Sequence, residues 1–420
     1  MESFNLPCYK IDYIIGGIIN MKKIFTASLI CIIVISILAA GTVTASTIPE
    51  KKVKAIIVFN DVPSDDDINY LKGNGGSIKY KYGIINGIAL ELPQQAYDNI
   101  VSTGKNSKKP SSNPIFDKIS YIEIDQEVYA TGKPSKVRPT PTPVPQSLPW
   151  GINRIGSTVA WTASTGAGVK VAVIDTGIDY DHPDLSGNVQ GGYSCVSYTG
   201  DYKDDNGHGT HVAGIVAARN NDIGVVGVAP DAWLYGVKAL NKKGSGYTSD
   251  VIEGIDWSVA NGMQVITMSL GSAYEVQALH DAVDNAYANG IVVIAAAGND
   301  YGGPINYPAA YDTVIAVTAT DQYDAAASFS NAGPEAELAA PGVSIYSTYK
   351  SGTYAIMSGT SMSTPHVAGA AALLIADGIT SPEDVRIALR STAEDLGLSG
   401  PDPYYGYGLV NADAAVANAG

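Results

Sequence analysis

Apolar residues follow two rhythms along this chain. Across residues 50–130 they come in short runs that alternate with polar positions: 53–59, 77–82, 87–92 and 119–128 read as strands, and 65–71 and 94–101 as helices, the first opened by acidic residues. The order βαββαβ predicts a small α+β domain of ferredoxin-like arrangement. Beyond Trp150 the strand-like runs are almost continuously apolar, at 169–174, 232–240, 265–270, 291–297 and 314–318, with helix-like stretches at 209–218, 249–261, 274–289 and 364–376. Strands that are apolar on both sides belong to a sheet covered on both faces. Residues 146–420 are therefore expected to form an α/β domain, a mostly parallel sheet with helices on both faces. Functional groups in such sheets gather at the carboxyl ends of the strands.

The flanking segments differ from both blocks. Residues 131–145 carry proline at 134, 139, 141, 143 and 145, the spacing of an extended polyproline linker. Met21, Lys22 and Lys23 open a second start, followed by the apolar residues 24–40 and the small residues Val43, Thr44 and Ala45. Positive end, apolar middle and small residues before a break make residues 21–45 a secretory signal and residues 1–20 an upstream extension. The run at 24–40 is also long enough for an uncleaved membrane anchor. Export follows from either reading.

Charge adds one constraint. Residues 1–145 carry 16 basic and 13 acidic groups (+3) and residues 146–420 carry 10 and 28 (−18), so the chain's net charge of −15 comes from the second part. An acidic domain is unsuited to nucleic acid and suits solubility or cation binding. Three cysteines, Cys8, Cys31 and Cys195, are too few for a disulfide framework. Cys195 reads as a small buried residue, close enough in sequence to His208 that a thiol reagent could disturb it.

Three stretches carry chemistry. Residues 357–366, Met-Ser-Gly-Thr-Ser-Met-Ser-Thr-Pro-His, set small hydroxyl residues and a glycine before an Ala-rich apolar run. Ser361 would sit at a helix N-terminus, where unpaired N–H groups and the macrodipole favour an oxyanion forming beside a serine nucleophile. Alone, such a stretch is more simply a capped core helix. Residues 171–177, Val-Ala-Val-Ile-Asp-Thr-Gly, end a strand in Asp175, and residues 206–214 set His208 among glycines ahead of a small-residue helix. Acid, base and nucleophile follow in the order Asp, His, Ser, which differs from the chymotrypsin and α/β-hydrolase orders.

Together these stretches resemble the active-site signatures of the subtilase family, the subtilisin-like serine proteases, and the resemblance extends from Gln146 to the C-terminus. It implies Ser361 as nucleophile, His208 as general base in preference to His182, His211, His280 and His366, and Asp175 as the group that orients the imidazole. It makes Asn299, after the run 291–297, the oxyanion donor together with the Ser361 N–H. Substrate chain would be flanked by Gly244, Ser245 and Gly246 and by Ser269, Leu270 and Gly271. Ala296 and Gly298 would line the pocket before the scissile bond, with Asn306 near its base and Asp300 at its rim. The family also implies that residues 50–130 are a propeptide that assists folding and blocks the cleft with residues 125–130. The proline-rich linker departs from the family pattern and leaves the cleavage point open, near Ala130 or later.

A cation site is implied as well. Residues 219–225 resemble the family's calcium loop, with the Asn221 side chain and the carbonyls of Arg219, Ile223 and Val225 as ligands, completed by Gln146 and the Asp184 carboxylate. All-oxygen ligation of this kind suits calcium rather than zinc. A second, weaker site would involve Glu335 and Glu337. The resulting expectation is an exported, monomeric, calcium-stabilised serine endopeptidase acting on polypeptides and made as a self-cleaving zymogen. A non-enzymatic scaffold is disfavoured because Asp175, His208, Asn299 and Ser361 are all present. An esterase of the α/β-hydrolase kind would need a G-x-S-x-G elbow, which Ser361 lacks.

Overall fold

The computed structural model describes residues 51–104, 114–134, 140–141 and 144–418. The predicted extension and signal, residues 1–45, lie outside the described residues. Among the described residues no helix is long and apolar enough to cross a membrane.

The N-terminal domain has the predicted order. Strands β1 (Lys52–Phe59), β2 (Ser77–Lys81), β3 (Gly87–Pro93) and β4 (Ile119–Ile124) form an antiparallel sheet in the order β2-β3-β1-β4, with helices α1 (Asp65–Gly73) and α2 (Gln94–Gly104). Ser64 starts α1 with a capping box: its hydroxyl accepts from the Asp67 N–H while the Asp67 carboxylate accepts the Ser64 N–H. The period of two in β1 explains how the sheet is used. Ile57 and Phe59 turn into a core shared with Leu71, Leu90 and Ile100, whereas Ile56 and Val58 join the core of the following domain. Both faces of the strand are therefore buried.

One expected strand is two. The run 119–128 breaks at Asp125 and Gln126, and a separate strand β5 (Glu127–Ala130) leaves the small sheet. The break follows from pairing: Asp125 and Gln126 bond residues Ser249 and Thr248 of the larger domain.

The larger domain holds seven parallel strands, β6 (Lys170–Asp175), β7 (Val189–Ser194), β8 (Trp233–Lys238), β10 (Val265–Met268), β12 (Val292–Ala296), β13 (Ile315–Thr320) and β14 (Leu338–Pro341), ordered β14-β13-β12-β10-β6-β8-β7. Two further strands, β9 (Ser245–Tyr247) and β11 (Leu270–Gly271), stand apart from the sheet. Val171 and Val173 face a core with α3 (His208–Ala217) and α6 (Thr360–Ala376); Ala172 and Ile174 face one with α4 (Thr248–Ala260) and α5 (Gln277–Ala288). This is the doubly covered parallel sheet that the apolar runs predict. An antiparallel pair, β15 (Ile345–Tyr349) and β16 (Thr353–Ser358), leads into α6.

Candidate active site

Asp175 is the last residue of β6 and is fully buried. Its two carboxylate oxygens lie 2.8 and 2.9 Å from His208 Nδ1, at the start of α3. Asp204 fixes that start. It accepts the N–H groups of Asn206, Gly207 and Thr210 and the hydroxyls of Thr176 and Thr210, so one buried carboxylate ties the turn after β6 to the first turn of α3.

Electrostatics separate His208 from the other histidines. Burial disfavours its charged ring, but the Asp175 carboxylate outweighs burial, so the pKa lies above the ordinary 6.5. Burial instead pushes His211 down to about 3 and His366 to about 4, and it lowers His182. Those three rings bond backbone carbonyls: His211 Nε2 reaches Ile345 and Ala355, His366 Nδ1 reaches Met362, and His182 Nε2 reaches Thr353. His280, in α5, stacks on Tyr311.

Helix α6 begins at Thr360, earlier than the apolar run suggests, so Ser361 is its second residue. The proline at 365 cannot donate to the carbonyl of residue 361, four positions back. The Ser269 hydroxyl fills the gap and donates to Ser361 O at 2.9 Å. Ser361 Oγ in turn donates to Ser269 O at 3.0 Å and lies 2.6 Å from Thr131 Oγ1. Among the described residues, His208 Nε2 is buried without a hydrogen-bond partner. Opposite, Asn299 Oδ1 accepts the Thr360 N–H and hydroxyl at 3.0 and 3.1 Å, which turns the amide nitrogen toward the bare face of Gly359. A Cβ on Gly359 would stand 3.2 Å from Asn299 Nδ2.

The cleft beside these groups is filled by the chain itself. Strand β5 lies between β9 and β11, antiparallel to both: Tyr129 opposite Ser245, Val128 opposite Gly246, Ala130 opposite Leu270 and Tyr129 opposite Gly271. Ala130 N–H donates to Gly244 O at 2.9 Å and Thr131 N–H to Ser269 O at 3.2 Å. The six residues expected to flank substrate thus lie along residues 128–131 of the chain itself. Next to this tail a cavity of about 830 Å³ is walled by Gly271, Tyr274, Asn299, Asp300, Asn306 and Phe329. A Cβ on Gly298 would come within 2.5 Å of Asn306 Nδ2, but Gly298 itself is not among the residues that wall the cavity. Ala296 is wholly buried in β12 and is not part of the wall.

The residues expected to hold a cation converge too. Asp184 is fully buried, and its carboxylate takes Val225 N–H at 2.8 Å, Asn221 Nδ2 at 3.0 Å and the Tyr354 hydroxyl at 3.3 Å. Burial still pushes its pKa up to about 6. Gln146 Oε1 accepts the Asn221 N–H at 2.5 Å, and Arg219 N–H bonds Asp184 O at 3.0 Å. Among the described residues no salt bridge reaches Asp184 and no three acidic, His or Cys side chains cluster. Carbonyl, amide and carboxylate oxygens are the donor chemistry a hard cation takes, and here the side-chain oxygens of Asp184, Asn221 and Gln146 accept hydrogen bonds from within the same loop and its neighbours. Glu337 does not fit the second site. Arg386 and Arg390 each bring a guanidinium Nε within 2.7 Å of its carboxylate, so its charge is already matched.

Sequence reasoning missed Thr131, Thr360 and Asp204. Asp204 had a signal, an acid shortly before a helix start, but Asp-Asp-Asn-Gly also reads as a plain turn. Cys195 is a free, buried thiol whose pKa burial raises, which makes it inert.

A serine in the first turn of a helix, a buried acid–imidazole pair and a peptide strand ending against the serine are the parts that a hydrolase of peptide bonds uses. The sequence profile of the subtilase family matches residues 166–408, and the chain belongs to that family of serine endopeptidases. Among curated relatives, the minor extracellular protease Epr of Bacillus subtilis (strain 168) is 50% identical over 268 residues, covering 63% of this chain and 41% of Epr. The M-protease of Shouchella clausii (strain KSM-K16) is 42% identical over 386 residues, 88% of this chain and 93% of that protein. Subtilisin E of Bacillus subtilis (strain 168) is 45% identical over 348 residues, 81% of this chain and 83% of that protein. The chain thus spans less than half of Epr and most of the other two.

Proposed function

We propose that this protein is exported as a zymogen whose residues 50–130 are an inhibitory, folding-assisting propeptide, and that residues 146–420 cleave polypeptides through Asp175, His208 and Ser361. The observation that carries the reading is the tail threaded as a strand between β9 and β11 and ending against Ser361. A substrate bound by strand addition would take the same place.

In this reading His208 Nε2 takes the Ser361 proton as Oγ attacks a carbonyl carbon, and Asp175 stabilises the imidazolium. Asn299 Nδ2 and the Ser361 N–H, which has no acceptor one helical turn back, bind the oxyanion. The proton passes to the leaving amine, and water then hydrolyses the acyl-enzyme. Gln146, Asp184 and Asn221 side chains, with the carbonyls of Arg219, Ile223 and Val225, would hold calcium. The ion would supply positive charge to the buried Asp184 carboxylate and pin the start of the catalytic domain to the loop at 219–225. The protein acts on its own as a monomer, with polypeptides and its own propeptide as partners. Residues 21–45 direct export, and a membrane link arises only if 24–40 is left uncleaved. That the M-protease match covers 88% of the chain, and so includes the N-terminal domain, supports the zymogen reading.

The test is a matched expression of wild type and Ser361→Ala, each with calcium and with a chelator, following chain mass and casein hydrolysis. Wild type with calcium should lose its N-terminal domain and digest casein. Ser361→Ala should stay full length and inert, and the chelator should shorten the lifetime of active enzyme. Equal processing of both chains with no digestion would overturn the reading in favour of a binding protein cut by another protease.

A further inference from the structure

We infer that the bond this chain cuts in itself lies between Thr131 and Gly132, and that the missing side chain at 132 is what admits His208 to that bond. The inference rests on the zymogen reading above and concerns the one point that the linker left open.

Residues 131 and 132 are where the chain changes partners. Upstream, residues 127–130 pair with β9 and β11; downstream, Lys133 and Pro134 pair with Ser358 and Met357 of β16. The crossing between the two sets of pairings passes over Ser361, whose Oγ is 2.6 Å from Thr131 Oγ1. The carbonyl of Thr131 and the amide of Asn299 line the same spot, since a Cβ on Gly359 would lie 2.6 Å from Thr131 O and 3.2 Å from Asn299 Nδ2. That is where a developing oxyanion would find its donor. On the other side, a Cβ on Gly132 would lie 2.8 Å from His208 Nε2 and 3.1 Å from its Cδ2. The unpartnered ring nitrogen therefore faces a bare backbone, next to the nitrogen that must receive a proton. The neighbouring bonds are worse placed. Ala130 is held upstream by Gly244 and Leu270, and the bond from Lys133 to Pro134 is already paired along β16.

The step balances as a hydrolysis. Ser361 Oγ bonds to the Thr131 carbonyl carbon while its proton moves to His208 Nε2. The bond from that carbon to Gly132 N breaks, and His208 returns the proton to the leaving nitrogen, which becomes a free amine. Water then splits the Thr131 ester, giving the Thr131 carboxylate and restoring the Ser361 hydroxyl. The mature enzyme would begin at Gly132 and keep the linker.

The full-length wild-type chain, sampled from the first minutes of folding in calcium and quenched in acid, gives the answer by intact mass and N-terminal sequencing. The first products should be one fragment ending at Thr131 and one beginning at Gly132, at a rate independent of dilution. A first cut at any other bond in a chain that goes on to digest casein overturns this inference and leaves the protease reading standing. No cut and no digestion overturns both. Gly132→Val should slow the first cut at least about tenfold, because the added methyls displace the ring that must reach the bond. Its fold is checked by a circular-dichroism melt against Ser361→Ala. A Gly132→Val chain that melts like that reference and is cut at the wild-type rate overturns the role given to Gly132. If it does not fold, the wild-type cleavage map alone decides.

Discussion

In the proposed mechanism His208 works as a base only while neutral, so its environment would set the acid limit of the enzyme. Asp175 favours the protonated ring and raises the pKa above 6.5 in spite of complete burial. Activity is then full above that raised pKa and falls about tenfold per pH unit below it. For processed enzyme on a short peptide, the acid limb of kcat/KM should have its midpoint above 6.5, and a midpoint at or below 6.5 would contradict the pairing. Asp175→Asn should lower kcat by about 10⁴, the size seen for this change in a related triad, and should move the residual limb to lower pH. The placing of Asp175, His208, Asn299 and Ser361 at element ends was legible in the sequence because each lies in a contiguous signature. Thr360 and Thr131 were not. What they do depends on contacts with Asn299 and Ser361, 61 and 230 positions away along the chain, which no local pattern encodes.

At the scale of elements, two helices of the catalytic domain begin without caps of their own. Neither Tyr247 before α4 nor Val276 before α5 offers a side-chain acceptor. The N-terminal domain supplies both. Asp125 accepts the N–H and hydroxyl of Ser249 at 2.8 and 2.7 Å, and Glu123 accepts the N–H groups of Gln277 and Ala278 at 3.0 Å each. A carboxylate at a helix N-terminus contributes about 0.5–2 kcal/mol. Glu123→Ala and Asp125→Ala should therefore each loosen the cut fragment about two- to thirtyfold, so that casein digestion starts sooner after self-cleavage. An unchanged lag would show that the caps do not hold the fragment. These contacts also explain why the run 119–128 misled. Val128 follows Ile122 and Ile124 on the even positions and so extends the alternation past the polar residues 125–127, but Asp125 and Gln126 are spent on α4, and the pairing partner changes there. The central strands were legible because both their faces are apolar. Strand β7, with the sequence VQGGYS at the sheet edge, is mostly half-buried and carries no such run.

The whole molecule has buried two histidines where burial disfavours their charged form, and this shapes how the fold responds to acid. His211 and His366 lie on α3 and α6, the helices packed together on one face of the sheet. Around His211 stand the carbonyls of Ile345 and Ala355 and the rings of His208 and His366; His366 faces Met362 O and the bare Gly151. Their folded pKa values are about 3 and about 4, against 6.5 for the free ring. Above 6.5 neither state binds a proton at these sites, and they contribute no pH dependence. Below 6.5 the unfolded chain takes up protons that the folded one refuses, so stability falls with pH by up to about 1.4 kcal/mol per unit per histidine. The loss continues until the folded pKa values are reached, on the order of several kcal/mol in all. Buried Asp204 acts in the opposite sense, because burial raises its pKa and the folded state holds its proton more tightly. A single variant isolates the histidine contribution. In the inert Ser361→Ala background, the slope of unfolding free energy against pH between 6 and 4.5 should become shallower by about 1.4 kcal/mol per unit in His366→Gln, whose amide can still donate to Met362 O. Urea titrations at intervals across that range give the slope directly, and equal slopes in the two chains would mean that His366 is protonated in the folded state after all.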